Sequence, residues 1–119
     1  MITGIDVLSA KRFDLLRNHR VGLLSHQAAL TANGATSAQL LHRALGSRLT
    51  ALYGPEHGFF GQASAGEHTF SRRHPDWDIP VYALYGERSA PTPEMLEGID
   101  VMVCDLQDLG VRCYTYLAT

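Results

Sequence analysis

Val21-Gly22-Leu23-Leu24-Ser25 is a continuous apolar run that passes into polar Ser25-His26-Gln27, the pattern of a strand buried on both faces. After the turn-like Thr31-Ala32-Asn33-Gly34, Thr36 and Ser37 are placed to cap a helix. Its apolar positions Leu40, Leu41, Ala44 and Leu45 recur at three-and-four spacing, and Gly46 closes it. Residues 48–53 supply a second β-rich run. Strand, helix and strand within residues 21–53, joined by short connections, make a βαβ unit, so the two strands run parallel.

The same alternation continues outward. Residues 79–84 read as a third strand with Pro80 near its start, where a missing N–H is tolerated. Thr92-Pro93-Glu94-Met95-Leu96-Glu97 reads as a short helix with Thr92 as cap, Pro93 in the first turn and Gly98 as stop. Residues 99–104 make a fourth strand that leaves at Asp105-Leu106-Gln107-Asp108. This predicts an α/β fold, an open and mostly parallel sheet with flanking helices. Residues 5–16 predict one helix under the first strand, and residues 58–78, which lack periodicity, an active-site loop or lid.

At 119 residues with 45% hydrophobic residues, the chain suffices for one domain with a core and is too short for two ordinary ones. Net charge is −2, and apart from Arg72-Arg73 the cations do not cluster, so nucleic-acid partners are not expected. No stretch approaches the length of a membrane span, and the opening Met1-Ile2-Thr3-Gly4-Ile5-Asp6 has no signal-peptide pattern. As written, the chain is expected to be cytoplasmic. Cys104 and Cys113 have no metal or redox spacing, and Cys104, inside an apolar run, reads as a small buried hydrophobe.

In a parallel sheet every strand exit lies on one edge, and here the exits carry Ser25-His26-Gln27, Glu56-His57, Tyr85 and Asp105 to Asp108. Glu56 stands in Pro55-Glu56-His57-Gly58, where Pro and Gly fix the backbone on either side. Held at a cleft floor it would serve as a general acid or base; the structural alternative is a carboxylate that caps a turn or pairs with Arg. His57, and likewise His26, reads as a substrate or catalytic contact or as a hydrogen-bonded structural residue. The loop Gly58-Phe59-Phe60-Gly61-Gln62-Ala63-Ser64-Ala65-Gly66-Glu67 offers glycines for close backbone approach and Glu67 as a second carboxylate. It lacks the endings of nucleotide-binding loops, and the six histidines lack metal-ligand spacing. Asp108 suits either a sugar hydroxyl or a helix cap. Arg112, Tyr114 and Tyr116 suit a sugar or carboxylated ligand, or a partly buried helix start.

Taken in order, several motifs together resemble the amino-terminal part of the NamZ exo-β-N-acetylmuramidase family, formerly a domain of unknown function. They are Gly4-Ile5-Asp6-Val7-Leu8, residues 20–27, Pro55-Glu56-His57-Gly58, Gly61-Gln62-Ala63-Ser64-Ala65-Gly66-Glu67, residues 80–86, residues 91–96 and residues 105–116. The resemblance implies a Rossmann-like domain that hydrolyses terminal non-reducing N-acetylmuramic acid from peptidoglycan fragments, with no metal or nucleotide cofactor. It implies Glu56 as the catalytic carboxylate and Glu67 as a pocket residue; a second carboxylate such as Glu67, an added water or the substrate's own acetamido group would complete the reaction. His57, Gln107, Asp108, Arg112 and Tyr114 would line the pocket, and Ser25 and Gln27 join them as substrate contacts. Arg112 would be a partner for the lactyl carboxylate.

The partner implied is a muramic-acid-containing oligosaccharide or muropeptide. Family members are about three times as long and have a second, smaller domain, so residues 1–119 are expected to be a truncated Rossmann-like part of the whole. Many are exported, and a trimmed amino terminus would make this chain secreted or periplasmic. A non-catalytic sugar-binding module is the alternative function, and a phosphate-binding domain ranks behind it. An open sheet edge would favour dimers or aggregates.

Overall fold

The computed structural model describes residues 1–62, 64, 71–111 and 115–119. Along the chain run α1 (Gly4–Ala10), β1 (Val21–Ser25), α2 (Ser37–Leu45), β2 (Leu49–Gly54), β3 (Arg72–Arg73), β4 (Pro80–Ala83), α3 (Pro93–Leu96) and β5 (Val101–Asp105). The strands form one sheet in the order β3-β4-β2-β1-β5. β1 pairs in parallel with both β2 and β5, and β2 with β4; β3 lies antiparallel to β4. The α/β reading from the sequence therefore holds, and the parallel strands alone take the order β4-β2-β1-β5.

The βαβ unit forms because its local signals agree. The Thr36 hydroxyl accepts from the Gln39 N–H and the Gln39 side chain accepts from the Thr36 N–H, a reciprocal cap that fixes where α2 starts. Gly46 ends it with φ 57°, in the left-handed region. Apolar side chains on both sheet faces are covered. Val21, Leu23, Leu49, Leu52 and Val81 pack with Ile5 of α1 and with Ala38, Leu41 and Leu45 of α2. Leu24, Ala51, Tyr53 and Leu84 form a second cluster, against which Met95, Ile99 and Met102 pack. Tyr53 is fully buried, its hydroxyl donates to the Met95 carbonyl, and burial pushes its pKa up to about 12. Gly22 leaves it room, since a Cβ there would lie 3.0 Å from the Tyr53 ring.

Three expectations are corrected. Residues 5–16 are not one helix: α1 starts at a Thr3–Asp6 capping box and stops at Ala10, and Asp14–Leu16 is a separate 3-10 turn. Arg12 and Phe13 between them both have φ 54°, which a right-handed helix cannot contain. The segment 58–78 is not wholly loop, because Arg72 and Arg73 pair with Val81 and Pro80 as β3. Cys104 is exposed rather than buried, because β5 borders the sheet and pairs with β1 on one side only among the described residues. The described helices include none long and apolar enough to cross a membrane.

Candidate active site

β1 hands the chain to β2 on one side, whereas the connection from β4 returns across the sheet to place β5 on the other. The loops leaving β1 and β5 therefore diverge and open a crevice at their carboxyl ends, the place where open α/β sheets bind ligands. Ser25 and Asp105 are register partners at that point. The Ser37 hydroxyl, in the first turn of α2, donates to the Asp105 carboxylate and ties the helix to the crevice floor.

Glu56 enters from the neighbouring strand. Gly54 ends β2, and the turn after it folds back so tightly that a Cβ on Gly54 would lie 2.7 Å from Phe59 Cα and 2.9 Å from the Gly58 carbonyl carbon. Pro55 is fully buried; the Gly58 N–H donates to its carbonyl at 2.9 Å, and the Gly61 N–H to Gly58 at 3.2 Å. Between them His57 takes φ 70°, a conformation that costs a non-glycine residue about 1–2 kcal/mol. The strained corner turns both Glu56 and His57 toward a cavity of about 340 Å³, lined also by His26, Gln27, Ala28, Gln107, Thr115 and Tyr116.

The half-buried Glu56 carboxylate accepts a hydrogen bond from the Thr115 hydroxyl at 2.7 Å. The Tyr85 phenol is pushed up in pKa, first by the Glu56 charge, then by desolvation and a hydrogen bond to the same carboxylate. Hydroxyl donors of this kind favour the ionised form of Glu56.

His26 is buried and organises the opposite wall. Its Nε2 accepts the Gln107 backbone N–H at 2.8 Å, so the imidazole is neutral with its proton on Nδ1. Burial lowers its pKa, the nearby His57 acts in the same direction, and the Asp105 charge opposes both. The Tyr116 ring meets it edge-on, with centroids 4.9 Å apart at 65°.

Glu56, His57, Gln27 and Gln107 thus come together around one cavity, as the strand-exit rule requires. Gln107 acts partly through its main chain. Ser25 is buried below them. Asp108 starts no helix over the described residues 109–111: its Oδ1 accepts the Gly110 N–H at 2.7 Å in a local turn, while its Oδ2 is buried without a hydrogen-bond partner among the described residues. Glu67, Arg112 and Tyr114 lie outside the described residues. Gly61 makes room for a side chain of the protein itself, because a Cβ there would sit 2.6 Å from Gln27 Oε1. Among the described residues no group of three or more His, Cys, Asp or Glu is arranged to hold a metal ion. The sequence reading included Thr115 only within the motif of residues 105–116, with no role of its own, and left the role of His26 open. Thr115 had no local signal, as it reaches Glu56 from 59 positions away.

The family model described as the N-terminal part of exo-β-N-acetylmuramidase NamZ matches residues 21–119. The peptidoglycan β-N-acetylmuramidase NamZ of Bacillus subtilis (strain 168) is 41% identical over 117 residues, covering 98% of this chain and 28% of that protein. A crystal structure of a DUF1343 family protein from Bacteroides fragilis superimposes with a TM-score of 0.85 at 41% identity, over 98% of this chain and 29% of that one. A second DUF1343 protein from the same organism does so with a TM-score of 0.70 at 25% identity, over 98% and 28%. The chain thus spans well under a third of the length of these relatives.

Proposed function

The chain belongs to the family of NamZ amino-terminal domains, and on that footing we propose that it is the part of an exo-β-N-acetylmuramidase that carries the reacting carboxylate, Glu56. The substrate in this reading is a peptidoglycan fragment with N-acetylmuramic acid at its non-reducing end.

The observation that carries the proposal is the placement of Glu56. It stands on a strained turn beside the switch point of a parallel sheet, in a cavity, with the Thr115 hydroxyl on its carboxylate. Glycoside hydrolysis needs a proton for the leaving oxygen and a carboxylate near an oxocarbenium-like centre. In this reading Glu56 acts either as general acid, giving its proton to the leaving oxygen as the glycosidic bond breaks, or as general base, taking a proton from the water as its oxygen bonds to the anomeric carbon. Glu67 is proposed as the second carboxylate, and Arg112 as the partner of the lactyl group. His57, Gln107 and Tyr114 are proposed as sugar contacts, with Asp108, Ser25 and Gln27 bordering them.

The test is release of N-acetylmuramic acid from a chromogenic muramide by this chain and by Glu56→Gln. A general acid or base contributes about 10²–10⁴ in rate, so the variant should lose at least about a hundredfold. Full activity in Glu56→Gln would remove Glu56 from the reaction. The competing reading is a muramic-acid-binding module, in which the same cavity holds the sugar without cleaving it. It expects saturable binding of N-acetylmuramic acid with no release from the chromogenic substrate.

A further inference from the structure

Three distant parts of the chain meet on His26. The residue is buried where β1 ends, and its own main-chain carbonyl accepts the Ala29 N–H at 3.1 Å, so the backbone that carries the ring is itself held. From that fixed base the side chain makes two long-range contacts. Nε2 accepts the main-chain N–H of Gln107, 81 positions away, at 2.8 Å. The ring also meets the buried Tyr116 edge-on, with centroids 4.9 Å apart.

The two contacts differ in chemistry. The first needs a lone pair at Nε2 and is lost when that nitrogen carries a proton. The second needs an aromatic ring and no lone pair.

They also hold different parts of the site. The Gln107 bond fixes the segment that leaves β5, one wall of the Glu56 cavity. The Tyr116 contact fixes the short 3-10 turn Tyr116–Ala118, which the Ala118 N–H closes on the Thr115 carbonyl at 2.9 Å. Thr115 immediately precedes the held ring, and its hydroxyl is the donor to Glu56 at 2.7 Å.

We propose that His26 is a positioning residue with two separable duties: its Nε2 lone pair holds the Gln107 wall, and its ring, through Tyr116, keeps Thr115 on the Glu56 carboxylate. That Glu56 then works in hydrolysis rests on the reading given above; the two duties do not.

The lone pair makes the first duty sensitive to acid. Burial disfavours a proton on the ring, Asp105 at the end of β5 favours one, and His57 on the Glu56 corner opposes it. Glu56 lines the same cavity as His26, while His74 and Asp76 line a neighbouring one that His26 also borders. Once Nε2 is protonated, donor faces donor and the Gln107 N–H is released.

Two variants separate the duties. His26→Gln keeps an acceptor and lacks the ring; His26→Phe keeps a ring and lacks the acceptor. The readouts, by NMR on the labelled chain, are exchange protection of the Gln107 amide and the pH at which the Glu56 carboxyl titrates. Protection at Gln107 should persist in His26→Gln and fall at least tenfold in His26→Phe. Glu56 should titrate at higher pH in His26→Gln than in His26→Phe, and since neither variant is charged at position 26, the difference reports the ring.

Two further measurements leave His26 in place. In the wild type, Gln107 should lose protection as pH falls through the His26 titration while the buried Leu23 amide of β1 keeps its own, which separates local release from unfolding. Tyr116→Leu should raise the Glu56 titration above wild type and leave Gln107 protected at pH 7. A histidine that only fills space would move both readouts together in each variant. That pattern overturns the proposal, as does Gln107 protection that ignores the His26 titration, or a Glu56 titration unmoved in Tyr116→Leu. Turnover of the chromogenic muramide is scored separately: its absence counts against Glu56 as catalyst and leaves the NMR readouts to decide the role of His26.

Discussion

Thr115 Oγ lies 2.7 Å from Glu56 Oε2 and donates to it, joining the last turn of the chain to the corner after β2. Such a bond stabilises the ionised carboxylate, so its loss raises the carboxyl pKa. In the proposed hydrolase reading, Thr115→Val should move the limb of the pH–rate profile that reports Glu56 to higher pH. An unmoved limb would detach Thr115 from the chemistry.

Gly54→Ala tests the corner itself. The new Cβ would lie 2.7 Å from Phe59 Cα and closer still to the Phe59 nitrogen, both main-chain atoms that cannot swing aside. Overpacking of this kind costs about 1–3 kcal/mol, and urea unfolding should show it as a lower midpoint with unchanged slope. A variant as stable as wild type would mean that the turn is looser than described.

Arg20 and Asp100 tie the entry of β1 to the entry of β5. The Arg20 guanidinium donates to the Asp100 carboxylate at 3.0 and 3.2 Å and its main-chain N–H at 2.7 Å. These bonds, the side-chain one foremost, lower the Asp100 pKa from 3.8 to about 2. A depressed carboxylate stabilises the fold above its unfolded pKa, and that stability is lost as pH falls through the folded value. Asp100→Asn should therefore flatten the pH dependence of stability between about 4 and 2. The pair is solvent-exposed, so the difference between the two proteins should shrink in high salt. An acid limb identical in the two proteins at low salt would contradict this.

His26 sets a second pH window with the same sign. Its pKa is lowered from 6.5, chiefly by burial, so the unfolded chain takes up a proton that the folded chain refuses. The stabilisation is whole above pH about 6.5 and is lost as pH falls through the folded value. His74 shifts in the same direction, so His26→Gln should reduce this acid sensitivity without abolishing it. At pH 7, nitrogen-resolved NMR should find the His26 proton on Nδ1; a proton on Nε2 would exclude the bond from Gln107.

The fold was legible where periodicity and caps agreed. β1, α2 and β2 emerged almost residue for residue because Thr36 and Gly46 bracket an amphipathic run between two apolar ones. β3 was not legible, since two residues carry no period and Arg72-Arg73 becomes a strand only by pairing with Val81 and Pro80. Cys104 was misread because an apolar run does not tell whether its strand is central or at the border. In the site, Glu56 was visible as a strand exit between Pro and Gly. The Thr115 bond and the stacking of His42 on Trp77 were not, because contacts that join residues 59 and 35 positions apart leave no local trace.

The two borders of the sheet differ in kind. On one side β3 ends the hydrogen-bonded ladder with a two-residue antiparallel strand of exposed arginines, one of them paired to Asp78. Short, charged strands of this sort repel further pairing. On the other side β5 runs parallel to β1 for five register pairs, and among the described residues no strand pairs with its outer edge. The sheet consequently has a polarity of growth. A strand supplied in trans, or grafted by fusion, would extend it beyond β5, and the crevice between β1 and β5 would then have paired strands on both flanks.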